Sequence, residues 1–292
     1  MSNPLLHLTD LPPFGAIKPQ HVEPAIDQIL ADNRVAIDIL LSNDDAPSWN
    51  TLMRPLENLE DRLARAWSPA SHMNSVVNND ELRDAYNACL PKLSEYATEV
   101  GQNQRLFAAF EAVDKDTTLS VPQRKAIDNA LRDFHLSGIA LNDADKATFK
   151  KLKQELSTLT SKFEDNVLDA THGWENHIES ESQRAGLPES AIDLARQNAK
   201  QADKPGWLFS LEFPSYYPIM TYADDASLRE EMYTAYVTRA SEHGPNAGKW
   251  DNAQKMQEIL KQRPAVAQLL GDKNDAERSL EPKLAGSTAP MR

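Results

Sequence analysis

The sequence predicts a mostly helical protein carrying one small two-stranded β ribbon. Three observations support this: apolar residues recur at three- and four-residue spacing along most of the chain, helix-start signals stand ahead of those segments, and only ten glycines interrupt 292 residues.

The first clear segment runs through Leu52, Leu56, Leu59 and Leu63, with Ser48 before Trp49 as its cap. Leu82, Tyr86, Leu90 and Leu93 form the second, and Asp80 before Glu81 marks its start. Ser120, followed by Pro122 and Gln123, reads as a capping box. Asn142 precedes an acidic first turn and opens a long helix with Leu152, Leu156, Leu159, Phe163 and Val167 on one side. One-faced helices are stable only against neighbours, so this long helix is expected in the main core.

One stretch breaks the helical period. Gly206 to Phe213 (GWLFSLEF) is short, aromatic-rich and closed by Pro214, which reads as a strand. Its expected partner is Gly173 to Glu179, and the helix-like segment Pro188 to Ala199 would join the two. No internal repeat is visible. Residues 1–285 are expected to form a single helical region, and the polar tail 286–292 (GSTAPMR) to be disordered.

Composition narrows the function classes. A hydrophobic content of 40% suffices for a core. Forty-four acidic against 31 basic residues give a formal charge of -13, which repels phosphate backbones and anionic lipid, so neither nucleic acid nor membrane is expected as a partner. The opening residues contain Pro4, Pro12 and Pro13, no apolar block, and no basic residue before Lys18, so no targeting segment is read there. A lone cysteine, Cys89, excludes an internal disulfide and fits a reducing compartment, so a cytoplasmic protein is expected.

Residues able to carry chemistry are few. A helical zinc peptidase site needs two histidines at i and i+4 with a glutamate beside the first, so that both imidazoles face one metal and the carboxylate activates its water. The seven histidines are His7, His21, His72, His135, His172, His177 and His243, and no two are four apart. In HGWENH, a strand would put Glu175 and His177 on one face with His172 pointing away, so these read as solvated polar residues at a ribbon edge. Cys89 shares a face with Leu82 and Tyr86 and lacks a basic neighbour, so it reads as a small buried hydrophobe. His72, in the loop-like SPASHMNS after Pro69, is expected to be buried and hydrogen-bonded to backbone rather than to line a cleft. Asp224, Asp225, Glu230 and Glu231 read as the negative start of a helix.

Several longer blocks carry a resemblance. NPLLHLTDLPPFGAIKPQHVEPAI, SPASHMNSVVNNDELRDAYNACLPKLSEY, KAIDNALRDFHLSGIAL, NVLDATHGW and PSYYPIMTYADDASLREEMYTAYVTRASEHGPNAGKWDN run in order and cover nearly the whole chain. They resemble the amino-terminal half of the oligopeptidase A type in the thimet oligopeptidase family. The resemblance implies the bundle-like, mostly helical amino-terminal half of a cytoplasmic zinc metalloendopeptidase that cuts short peptides in a channel between two halves. It also implies that the HExxH helix and the glutamate that is the third zinc ligand belong to the other half. No position here matches them, so no catalytic and no metal-binding residue is carried over, substrate-binding residues stay unknown, and zinc is a cofactor of the full-length family rather than of this chain. The implied partners are short peptides and, for a split enzyme, a carboxy-terminal peptidase half. A chain without that half is expected to expose unusual apolar surface and to be inactive alone. The alternatives are a non-catalytic peptide-binding module and a piece of an active peptidase.

Departures from the family pattern gather late in the chain. In QRPAVAQLLGDKNDA, Gln262, Ala265, Asp272 and Asp275 stand where the family has leucine, glutamate, phenylalanine and tyrosine. Pro264 falls inside the helical pattern, and the segment from Gln262 onward is expected to fray.

Overall fold

The computed structural model describes residues 3–7, 10–43 and 46–285, and the expected polar tail lies outside them. In chain order the elements are α1 (Pro19–Leu41), α2 (Arg54–Val76), α3 (Asp80–Gly101), α4 (Gln104–Asp114), α5 (Val121–Leu136), α6 (Asp143–His172), β1 (Glu175–Ile178), α7 (Glu189–Gln201), β2 (Trp207–Ser210), α8 (Phe213–Tyr222), α9 (Ala226–Val237), α10 (Ala253–Leu269) and α11 (Asp275–Leu280). The protein is mostly helical, with one two-stranded antiparallel ribbon among the described residues. The chain divides into two compact units, residues 1–158 with 260–292, and residues 159–259. No helix of the described residues is long and apolar enough to cross a membrane.

In the first unit α1 packs on α2 and α3. Val22, Ile26 and Ile29 follow the helical repeat and are fully buried. Ala66 and Ala70 of α2 and Leu82 and Cys89 of α3 complete that cluster, the alanines letting the backbones approach. A second cluster joins α4 to α5 through Leu106, Phe110, Val113, Ile127 and Phe134, where Phe107 and Phe110 meet the Phe134 ring edge-on at 5.5 and 5.2 Å.

The helix starts follow local chemistry. Ser48 Oγ accepts the Thr51 N–H at 3.1 Å, Gln123 Oε1 accepts the Ser120 N–H at 2.9 Å, and Asn142 Oδ1 accepts the Asp145 N–H at 3.0 Å. At α3 the cap is Asn79, whose Oδ1 accepts the Leu82 N–H at 2.9 Å, while Asp80 is the first helical residue.

Three expectations are corrected. SPASHMNS is not a loop: α2 continues through Pro69 to Val76, because Ala66, Pro69, Ala70 and Asn74 bury one continuous face. Along α6, Leu152, Leu156, Leu159, Phe163 and Val167 are all half-buried and none is fully covered. Periodicity identifies the apolar face but not what packs on it, and α6 makes only sparse contact with any single element. The third concerns Pro264, which does not unravel α10. Val266 and Ala267, just beyond it, are 1% and 0% exposed, and the helix closes with the Asp272 N–H donated to the Ala267 carbonyl at 2.9 Å. Burial past the proline offsets one missing hydrogen bond. Asp275 is not a misplaced core residue either, since it opens α11 and receives Arg278 at 2.8 Å.

In the second unit the ribbon pairs Glu175 with Ser210 and Ile178 with Trp207. The strands are shorter than the sequence predicts, because Pro214 suits a first helical turn and Phe213 therefore opens α8. The chain enters β2 at Gly206, where φ is 75° and a Cβ would collide with the Ile178 carbonyl. Trp207 and Phe209 turn inward to meet Ile192 and Ala195 of α7, Ile219 of α8, and Leu228 and Met232 of α9.

Candidate functional site

The HGWENH segment links the end of α6 to β1. His172 lies with Nε2 3.4 Å from Glu212 Oε1. Glu175 receives the Lys204 ammonium at 2.7 Å. His177 Nε2 faces the Pro205 carbonyl, which can only accept, so that nitrogen carries the proton. The three candidate donors are thus directed at three different partners. A zinc ion needs them converging and deprotonated on one point, and this arrangement does not fit one. Among the described residues no group of three or more His, Cys, Asp or Glu is gathered in a way that could hold a metal.

Cys89 is fully buried. Burial pushes its thiol up to about 12. The sequence reading that no base lies nearby needs correction, because Lys92 acts on this thiol in the opposite direction. The lysine is itself held by Glu23 at 2.7 Å and Asp27 at 2.6 Å, and desolvation of the thiolate prevails. Cys89 is a core residue, not a nucleophile.

His72 is the other correction. It is exposed on α2, its ring centroid 5.9 Å from that of Phe14, and it helps line an open depression of about 400 Å³ with Asp10, Pro12, Arg65, Ser68 and Pro69. Ala70 and Asn74, two positions to either side of it, are buried, which leaves His72 on the outer side of the helix. Arg65 is paired with Asp61 at 2.7 Å, so the depression presents no free cation from α2. Of the acidic cluster only Asp225 marks the helix start: it caps α9, its Oδ1 accepting the Ser227 N–H at 2.8 Å and the Leu228 N–H at 3.2 Å, while Glu230 and Glu231 lie beyond the first turn.

The sequence reading missed an aromatic face on α8 and α9. Phe213 and Tyr217 stack at 5.3 Å while remaining 62% and 50% exposed, and Tyr233 and Val237 are 52% and 54% exposed. Beside them Tyr216 stacks on Tyr236 at 3.8 Å, and the Arg239 guanidinium lies 3.7 Å above the Tyr236 ring. The signal was present: Phe213 and Tyr217 are four apart, as are Tyr233 and Val237, opposite the buried Ser215 and Ile219 of α8 and Leu228, Met232 and Ala235 of α9. A helix apolar all round hides which of its faces is covered.

Comparison with known proteins extends this geometry. The family profile described as Neurolysin/Thimet oligopeptidase, N-terminal domain, matches residues 26–146, and that described as Peptidase family M3 matches residues 219–291. Oligopeptidase A of Haemophilus influenzae is 50% identical over 98% of this chain and 42% of its own length. Oligopeptidase A of Escherichia coli is 47% identical over the same shares, and the probable cytosolic oligopeptidase A of Arabidopsis thaliana is 37% identical over 97% of this chain and 41% of its own. The chain thus spans about two fifths of the length of the curated relatives it matches, in their amino-terminal part.

Proposed function

We propose that this chain, which carries the amino-terminal part of the oligopeptidase A type of M3 metallopeptidase, serves as the non-catalytic portion of such an enzyme and does not hydrolyse peptides by itself. The observation that carries the proposal is the histidine spacing. No two of the seven histidines are four apart, so the pair that would hold zinc beside an activating glutamate has no counterpart in these 292 residues. Peptide hydrolysis by a metallopeptidase requires a metal-activated water and a carboxylate to take its proton. Without them the nucleophile itself is missing, and binding a peptide equally well in ground and transition states accelerates nothing. The −13 charge favours neutral or basic peptides over acidic ones as partners.

The test is cleavage of an internally quenched peptide by the purified chain with added zinc, with and without a chelator. No turnover is expected. Chelator-sensitive turnover that survives His172→Ala and His177→Ala would overturn the proposal.

A further inference from the structure

We propose that the depression between the amino-terminal segment and the outer side of α2 is a binding site for a primary ammonium on an apolar stem. That is the shared chemistry of a lysine side chain and of a peptide amino terminus. The inference goes beyond the proposed function and does not depend on it.

The depression has a volume of about 400 Å³, toward the small end of ligand clefts. Along α2, Arg65, Ser68 and His72 follow one another at three- and four-residue spacing, so they share one side of the helix. Asp10, Pro12 and Phe14 of the amino-terminal segment supply further lining. That segment is anchored at both ends, since Leu5 and Ile17 are each 2% exposed, and the Ala16 N–H donates to the Pro13 carbonyl at 2.8 Å. Pro12 and Pro13 also have fixed φ, so little backbone freedom is left to lose on binding.

Charge selects the sign of the ligand. Arg65 is neutralised by Asp61, whereas Asp10 takes part in no ion pair or hydrogen bond among the described residues. The unmatched charge in the depression is therefore a carboxylate, and the formal charge of -13 on the chain adds to its attraction for cations.

Hydrogen-bonding capacity selects the head group. An ammonium has three N–H donors and no acceptor, while a carboxylate, a hydroxyl and a neutral imidazole each offer an acceptor. Asp10, Ser68 and His72 are those three groups, and neither Ser68 nor His72 commits its side chain to a hydrogen bond among the described residues.

The rings select the stem. Phe14 is 44% exposed, and its ring centroid lies 5.9 Å from that of His72 with the planes inclined at 58°. Methylene groups can lie along such an angled aromatic surface while the cation is held at the ring face.

The experiment titrates the full 292-residue chain at pH 8 and physiological ionic strength with three short Gly/Ser peptides, read by calorimetry and by amide NMR shifts. The first has blocked ends and a central lysine. The second has a free amino terminus on norleucine and no lysine, and the third has blocked ends with norleucine in place of the lysine. At least one of the two charged peptides should bind at least about fivefold more tightly than the uncharged one, with shifts centred on Ser68 and His72, and the one that does so identifies the source of the ammonium. Asp10→Asn should weaken that binding by about fivefold, and Phe14→Ala by about two- to fivefold. Both side chains are exposed, so thermal melting of the chain should not change. Equal binding of charged and uncharged peptides, undiminished binding by Asp10→Asn, shifts spread over the acidic surface without a centre at Ser68 and His72, or no binding at all would each overturn the proposal. None of these outcomes bears on the peptidase assay, which decides the proposed function separately.

Discussion

The side-chain amide of Asn166 donates to Asn252 Oδ1 at 2.9 Å, joining α6 to the residue before α10 across 86 positions of sequence. Asn252 is 1% exposed, and its own amide donates to the Phe163 carbonyl at 3.0 Å. One buried side chain thus satisfies a helix carbonyl and a neighbouring amide together. Asn252→Ala should cost about 2–4 kcal/mol, two hydrogen bonds plus the penalty of the groups left unpaired. Chemical denaturation checks this, and a loss under about 0.5 kcal/mol would show that the network carries no weight.

The half-buried stripe of α6 and the sealed face of α1 should respond differently to truncation. Ile29, at 0% exposure, should lose about 2–5 kcal/mol on replacement by alanine. Leu156, only half-covered, should lose roughly 1–2 kcal/mol in proportion to its smaller buried area. Equal losses in urea unfolding would mean that α6 is buried as deeply as α1.

Amides from Val266 to Leu270 should exchange slowly, because both Val266 and Ala267 are buried and the turn after them is closed. Pro264→Ala should stabilise the protein by roughly 1–3 kcal/mol, by restoring one N–H and relieving a ring clash. Fast exchange there, or a destabilised Pro264→Ala variant, would contradict the packing of this segment.

Cys89 sets a pH dependence. Its thiol rises from an ordinary 9.0 in the unfolded chain to about 12 in the fold. The folded state therefore keeps a proton that the unfolded state releases, so this contribution to stability is complete below about pH 9 and is lost as pH climbs to about 12. The stability difference between the protein and Cys89→Ala should be flat below pH 9 and shift against the protein above it. In native conditions at pH 8 the thiol should resist alkylation, and in denaturant it should react fully. Rapid native alkylation would show the thiol to be accessible.

The sequence by itself determined the helical class, the caps at Ser48, Ser120 and Asn142, the ribbon and the helix between its strands, and the spacing that leaves no two histidines four apart. These rest on period, side-chain hydrogen-bonding reach and donor geometry, all of which act within a few residues. Tertiary structure alone decided which apolar faces are covered. The stripes of α1 and α6 have the same period, yet one is sealed by α2 and α3 and the other stays half in water. In the same way Pro264 is tolerated because Val266 and Ala267 are buried beyond it, and Phe213 and Tyr217 are left outside because the core claims only one side of α8. Burial depends on neighbours distant in sequence, and periodicity carries no information about them.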